Sequence, residues 1–164
     1  MLIRKEQPED TAAIRRLTEE AFRSVPYSNQ KEAAIIDALR SASALILSLV
    51  AEEEGFLLGH VAFSPVLIDG ADCGWYGLGP VSVQPGRQGE GIGSALIREG
   101  LLRLKEAGAK GCVLLGDSGY YQRFGFKADD RLRLEGVPAE YFQCLVIEGE
   151  IPRGNVSYHA AFDA

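Results

Sequence analysis

Cysteine is scarce in this chain: Cys73, Cys112 and Cys144 are the only three in 164 residues. They are odd in number, scattered, and never spaced C-x-x-C, so neither a disulfide framework nor a zinc site is indicated. No metal is expected. No apolar run is long enough to span a bilayer, and no basic segment leading into an apolar one opens the chain. The expectation is a cytoplasmic protein with reduced thiols and no membrane partner. Positive charge is in deficit, with 17 Lys and Arg against 23 Asp and Glu, a net charge of −6. That balance argues against nucleic acid as a partner. It suits an amine substrate, and equally a solvated acidic surface. Repeats, low-complexity tracts and linkers are also missing. What is present is 46% hydrophobic and 24% charged, ordinary for a globular protein. The length predicts one domain, 1–164, with a real core.

The hydrophobic pattern predicts a mixed α/β fold. Leu2 to Lys5 reads as a first strand. Asp10 can cap a helix carrying Ile14, Leu17, Ala21 and Phe22 at helical spacing. Arg23 to Asn29, with Pro26, reads as a loop before a second helix from about Gln30 to Arg40. Leu45–Glu52 and Leu58–Val66 read as strands joined in a hairpin at Glu53-Glu54-Gly55, and Asp69-Gly70 marks another turn. Trp75 to Val83 is a further strand. Gly77, Gly79 and Pro80 predict that it is irregular in the middle, which frees backbone groups from the sheet. Gly93, Leu96, Ile97, Gly100, Leu101 and Leu104 form one buried helical face, ended by Lys105, Glu106 and Gly108. The two glycines on that face predict close packing against the sheet. Gly111 to Leu115 reads as a buried strand, Gly116 to Phe124 as a loop with about two helical turns, and Tyr141–Ile147 and Val156–Phe162 as late strands.

The most informative stretch is Val81-Ser82-Val83-Gln84-Pro85-Gly86-Arg87-Gln88-Gly89-Glu90-Gly91-Ile92-Gly93-Ser94. A strand runs into a glycine-rich turn at the start of a helix. The first N–H groups of a helix have no partner within it, and its dipole places partial positive charge there, so the arrangement suits an anion. Glycine lets a ligand approach the main chain. A Walker loop requires Lys before the Ser or Thr, and none is present. A dinucleotide fingerprint requires Gly or Ala where Ser94 stands, and a first parallel strand before it.

Gln88-Gly89-Glu90-Gly91-Ile92-Gly93 matches Q/R-x-x-G-x-G/A. With the preceding Val-x-Val-x-Pro, it resembles the pyrophosphate motif of the GNAT superfamily of acetyl-CoA-dependent N-acetyltransferases. Gly116-Asp117-Ser118-Gly119-Tyr120-Tyr121-Gln122-Arg123-Phe124-Gly125-Phe126 resembles a signature of the YhbS-like branch. Pro8-Glu9-Asp10 and the closing Val156 to Phe162 also resemble that branch, so the likeness spans nearly the whole chain. It implies a central, mostly antiparallel sheet of six to seven strands flanked by about four helices. Many relatives have an Asn and a longer helix before the Tyr. The short interval from Leu115 to Tyr121 departs from them.

The resemblance implies acetyl-CoA as the acyl donor and an amine-bearing acceptor. Backbone N–H groups of Gln88, Gly89, Glu90, Gly91, Ile92, Gly93 and Ser94 would cradle the pyrophosphate, with Arg87 either assisting or merely solvated. Val81, Ser82 and Val83 would pair with the pantetheine arm and supply an N–H to the oxyanion. Tyr121 falls at the general-acid position, where a phenol can protonate a departing thiolate. Tyr120 is open between core packing, a cofactor wall and a stand-in for Tyr121. Phe124 would touch the cofactor. Asp117 is either a base or an organiser of its loop, and Glu32 and His60 are weaker base candidates. Cys112 in an apolar strand reads as an inert hydrophobe, which favours direct transfer over a covalent route. A non-catalytic coenzyme A-binding module is the alternative. Exposed late strands are compatible with a homodimer.

Overall fold

A computed structural model describes all residues, Met1–Ala164. It contains eight strands, β1 (Leu2–Lys5), β2 (Leu47–Glu53), β3 (Phe56–Ile68), β4 (Trp75–Val83), β5 (Gly111–Leu115), β6 (Leu132–Arg133), β7 (Phe142–Val146) and β8 (Gly154–Tyr158). Four helices accompany them, α1 (Thr11–Phe22), α2 (Glu32–Ser41), α3 (Ile92–Glu106) and α4 (Ser118–Tyr121). The expected mixed α/β architecture is present. The strand beyond the expected six to seven is β6, only two residues long. Cα packing divides the chain into two compact units, one of residues 1–63, 79–101 and 160–164, the other of 64–78 and 102–159. The strands β3 and β4 and the helix α3 run through both.

In the first unit, β1 pairs antiparallel with β2 (Leu2↔Glu52), and β2 with β3 (Val50↔His60). Alternate residues of β3 serve opposite faces, as the period of a strand requires. On one face Ala62 joins Val50, Ile14 of α1 and Ile36 of α2 in a buried cluster. On the other, Gly59 and Phe63 meet α3. A methyl at Gly59 would lie 2.8 Å from Leu96 Cδ1, and one at Gly100 would lie 2.4 Å from Phe63 Cε2. The absent side chains therefore bring α3 onto the sheet. Sequence predicts this for Gly100; the matching gap at Gly59 lies in a strand and escapes a helical pattern.

Asp10 does not cap α1 with its side chain. Pro8–Asp10 form a short 3-10 turn ahead of the helix. The Asp10 carboxylate turns back, accepting from Gln7 N–H at 2.7 Å and from the Arg4 guanidinium at 2.7 Å. Arg4 holds the Asp10 carboxyl below its ordinary range, and Arg4 Nε also donates to Glu52 at 2.6 Å. A charged fork thus joins β1, β2 and the start of α1.

In the second unit, β4 runs parallel to β5 over Trp75↔Gly111, Tyr76↔Cys112 and Gly77↔Val113 only, and β5 pairs antiparallel with β7. The end of β3 pairs antiparallel with β8, and β6 runs parallel to β8. Val66, Ile68, Trp75, Val113, Leu132, Phe142, Cys144 and Val156 form the buried cluster. Gly111 is glycine because the Trp75 ring occupies its side-chain space, 2.4 Å from where a Cβ would stand. The last strand stops at Tyr158 rather than Phe162; Ala160–Asp163 curl into a 3-10 turn, and Ala161 packs with Ile35, Leu39 and Ala44 in the first unit's core. Cys112 and Cys144 are buried and Cys73 is exposed. Burial pushes both buried thiols up from their usual range, so neither is an ionised nucleophile at neutral pH.

Candidate functional site

The predicted site residues fall into two groups, each built by its own unit. The first begins at the end of β4. Gly79 has φ +129 and joins Pro80 through a cis peptide bond, the mid-strand irregularity expected there. Val81 and Val83 are half-buried, and Ser82 is 2% exposed with its hydroxyl unpartnered. The Ser82 side chain is therefore sealed away from any ligand.

Beyond Val83, Gln84 N–H donates to Leu58 O at 2.8 Å and Arg87 N–H to Gln84 O at 2.9 Å, closing a tight turn. Gly86, Gly89 and Gly91 have φ of +89, +81 and +86. L residues rarely adopt this region, which explains glycine at each place. A Cβ at any of them would meet nothing within 4 Å. These glycines therefore leave open space over the main chain, in contrast to Gly59 and Gly100, which fill theirs with a neighbour. Gln88, Gly89, Glu90 and Gly91 are exposed, while Gly93 and Ser94 are half-buried. Helix α3 starts at Ile92, and Ala95 N–H donates to Gly91 O at 3.0 Å. The N–H groups before Ala95 lie ahead of the helical ladder, on the positive end of the dipole. The Ile92 side chain faces the core against Gly59, so its contribution outward is its N–H alone.

Arg87 is committed to carboxylates. Its Nε donates to Glu90 at 2.9 Å and its terminal nitrogen to Glu53 at 3.2 Å. This pairing offsets the negative charge that Glu90 brings to a turn otherwise suited to anions.

The second group is the aromatic block after β5. Asp117 is exposed and caps α4, its carboxylate accepting from Gly119 N–H at 2.9 Å. Its carbonyl accepts from Tyr120 and Tyr121 N–H, both at 3.1 Å. The two expected helical turns are α4 and the 3-10 turn Gln122–Phe124, which ends at Gly125 with φ +98. Tyr120 and Tyr121 meet edge-to-face with centroids 4.9 Å apart, and Phe124 lies 5.6 Å from Tyr120. Tyr121 also packs against buried Phe126 at 6.3 Å. Arg123 stacks on Tyr120, its guanidinium carbon 4.3 Å from the ring centroid. The structure therefore brings Asp117, Tyr120, Tyr121 and Phe124 into one cluster, with the tyrosines and Phe124 half-buried.

Two residues have roles in this cluster that sequence did not reveal. Gly116 lies directly under Tyr121, where a Cβ would stand 2.5 Å from Tyr121 Cε2. Gln143 on β7 is 0% exposed and donates from Nε2 to Gly116 O at 3.0 Å. The one available signal was a lone amide in the apolar run Phe142 to Val146.

The weaker base candidates are engaged elsewhere. The Glu32 carboxylate accepts from the Ser28 hydroxyl at 2.6 Å. His60 is 0% exposed, with Nε2 2.8 Å from Ser48 Oγ. Burial pushes its imidazole down to about 4. No cluster of three or more His, Cys, Asp or Glu is placed to hold a metal, and no helix is long and apolar enough to cross a membrane.

Comparison with known proteins gives this geometry its context. Residues 2–128 match the Acetyltransferase (GNAT) domain. YhbS, an uncharacterized N-acetyltransferase of Escherichia coli K12, is 36% identical over 170 residues, covering 99% of both chains. A GNAT family acetyltransferase from Brucella melitensis, crystallised with acetyl-CoA, is 66% identical with a TM-score of 0.90, covering 99% of this chain and 97% of that one. The crystal structure of E. coli YhbS with CoA is 35% identical with a TM-score of 0.90, covering 99% of this chain and 92% of that one. The long match to the domain and the near-complete overlap with YhbS carry one conclusion: this chain belongs to the GNAT acetyltransferase family.

Proposed function

We propose that residues 1–164 act as one acetyl-CoA-dependent N-acetyltransferase that moves an acetyl group to an amine by direct attack on the thioester. The observation that carries this reading is the open turn of Gly86, Gly89 and Gly91, three left-handed glycines with free space above them at the start of α3. A pyrophosphate suits that turn: it accepts several N–H donors at once and needs close approach to the main chain. The relatives crystallised with acetyl-CoA and CoA support the choice of ligand. Val81–Val83 lie beyond the three residue pairs that join β4 to β5, and their backbone would hold the amide-bearing arm and donate to the oxyanion.

In the reaction, the neutral amine attacks the carbonyl carbon and the C–S bond breaks. The amine's proton passes to solvent water, and the thiolate takes one from a protein donor that solvent then reprotonates. Tyr121 is the proposed donor to sulfur, because a thiol and a phenol have ordinary pKa values of about 8.5 and about 10, close enough for transfer. Tyr120 and Phe124 form the wall around it. Asp117 has its carboxylate occupied as a cap, which favours its role as loop organiser over that of base.

A panel of primary amines incubated with acetyl-CoA and the protein tests the reading. Thiol release above the rate of hydrolysis, with at least one amine, is the expected result. Tight binding of CoA without release for any amine would favour the non-catalytic module.

A further inference from the structure

We propose that Gln143 is a positioning residue for acetyl transfer: it fixes the Gly116 peptide on which the Tyr121 ring rests, and so sets the direction of the phenol. This rests on the assignment of Tyr121 as general acid.

Three observations converge. Gly116 is clamped through the peptide groups on both its sides, its N–H donating to Tyr141 O at 2.9 Å and its carbonyl accepting from Gln143 Nε2 at 3.0 Å. Gly116 is not among the residues with positive φ. It is glycine for another reason, since a Cβ there would stand 2.5 Å from Tyr121 Cε2. The ring therefore lies directly on this peptide, and any movement of the peptide moves the ring. Finally, Gln143 is 0% exposed and its Oε1 has no partner.

The last point makes the amide informative. A buried carbonyl oxygen without a donor is destabilising. Gln143 pairs with Leu114 across the β5–β7 ladder, a place where an apolar side chain would avoid that penalty. The NH2 end accounts for the residue, because only a donor can serve the Gly116 carbonyl. The Tyr121 ring then has four supports: the bare Cα of Gly116 below, Phe126 at 6.3 Å, Phe124 at 6.2 Å and Tyr120 at 4.9 Å. Hydrogen bonding to a rigid strand orients the first of these, and catalytic groups need such outer support.

The test uses the full chain, acetyl-CoA and hydroxylamine as a small acceptor probe, with parallel NMR on protein carrying 13C-labelled tyrosine. Gln143→Met keeps the volume and removes the donor. It is expected to lower kcat by about tenfold to about a hundredfold, the range for small misplacement of a reacting group, with the acetyl-CoA KM unchanged. The Tyr121 ring signals, assigned by their loss in Tyr121→Phe, should shift or broaden. Those of Tyr27, 91% exposed, should not. The double variant should be no slower than Tyr121→Phe alone, since residues acting through one group are not additive. Gln143→Glu supplies a second route, and carries the test if Gln143→Met fails to fold. A carboxylate cannot donate to Gly116 O, but the protonated acid can, so its kcat relative to wild type should recover as pH falls. Unchanged ring signals and turnover in Gln143→Met, with Tyr121→Phe impaired, would overturn the positioning role and leave the acid assignment standing. Losses that multiply in the double variant would also overturn it. Wild-type turnover in Tyr121→Phe would remove the acid assignment and this inference together.

Discussion

At Gly91 two requirements meet: a left-handed backbone and open space for an anion. They can be separated. Asn and Asp have nearly the same size and both tolerate positive φ better than other residues. Gly91→Asn should weaken acetyl-CoA binding modestly, through strain and bulk. Gly91→Asp adds a carboxylate beside the proposed pyrophosphate position and should abolish binding. Equal affinities for the two variants by calorimetry would show that charge at this turn is irrelevant. His60 makes a different prediction. Its Nε2 faces Ser48, whose hydroxyl also donates to Glu6, and Glu6 pairs with Arg40 at 2.8 Å. Burial raises the Glu6 carboxyl, but the Arg40 and Ser48 hydrogen bonds outweigh it and hold Glu6 ionised. The imidazole stands at about 4 because burial lowers it more than Glu6 raises it. The unfolded chain takes up this proton near pH 6.5 and the folded chain near 4, so stability is full above the first value and declines toward the second. The loss is about 3 kcal/mol across that window. In His60→Gln, urea denaturation between pH 7 and 4 should show a flatter dependence on pH; an unchanged slope would place its source elsewhere.

Between elements, the contact of α3 with β3 rests on two missing side chains. Gly100→Ala tests it, because two effects oppose each other. Alanine favours an exposed helix interior over glycine by about 1 kcal/mol. A methyl 2.4 Å from Phe63 Cε2 forces a packed ring aside, and overpacking costs about 1–3 kcal/mol. The expected net change is destabilising by urea titration. A more stable variant would mean that Phe63 has room to turn. The same pair shows how much of the candidate site was legible in the sequence. Gly100 was readable because its neighbours repeat at helical spacing. The turn from Gln88 to Ser94 and the block from Asp117 to Phe126 were readable because each is contiguous, with its chemistry written in consecutive residues. Gly59, Gly116 and Gln143 were not, since each takes its meaning from a partner elsewhere in the chain: Leu96, the Tyr121 ring and the Gly116 carbonyl. Asp10 misled for a related reason. Its position signals a cap, but Arg4 on β1 competes for the carboxylate and wins through charge.

Across the whole chain, the order of elements and the mixed sheet followed from periodicity. One strand was missed, the two-residue β6 with its short ladder, and several boundaries moved by one or two residues, as in β2 and β3; the last strand ended early, where the backbone leaves the sheet after Tyr158. The bulk charge was a weaker guide. The carboxylates of Glu6, Asp10, Glu53 and Glu90 are bound to Arg40, Arg4 and Arg87, so a net charge does not say which carboxylates are offered to a cationic acceptor. The placement of the three cysteines has a practical consequence. A disulfide reagent that colours on contact with the thiol released from acetyl-CoA will also report on the protein. Native chain should consume one equivalent at once through Cys73, the exposed thiol, and then stay silent, because Cys112 and Cys144 are sealed in the second unit. A rise from one equivalent toward three marks unfolding. The same dye therefore separates a folded but inactive chain from a melted one in a single cuvette, and Cys73→Ser gives a chain with no background at all until its core opens.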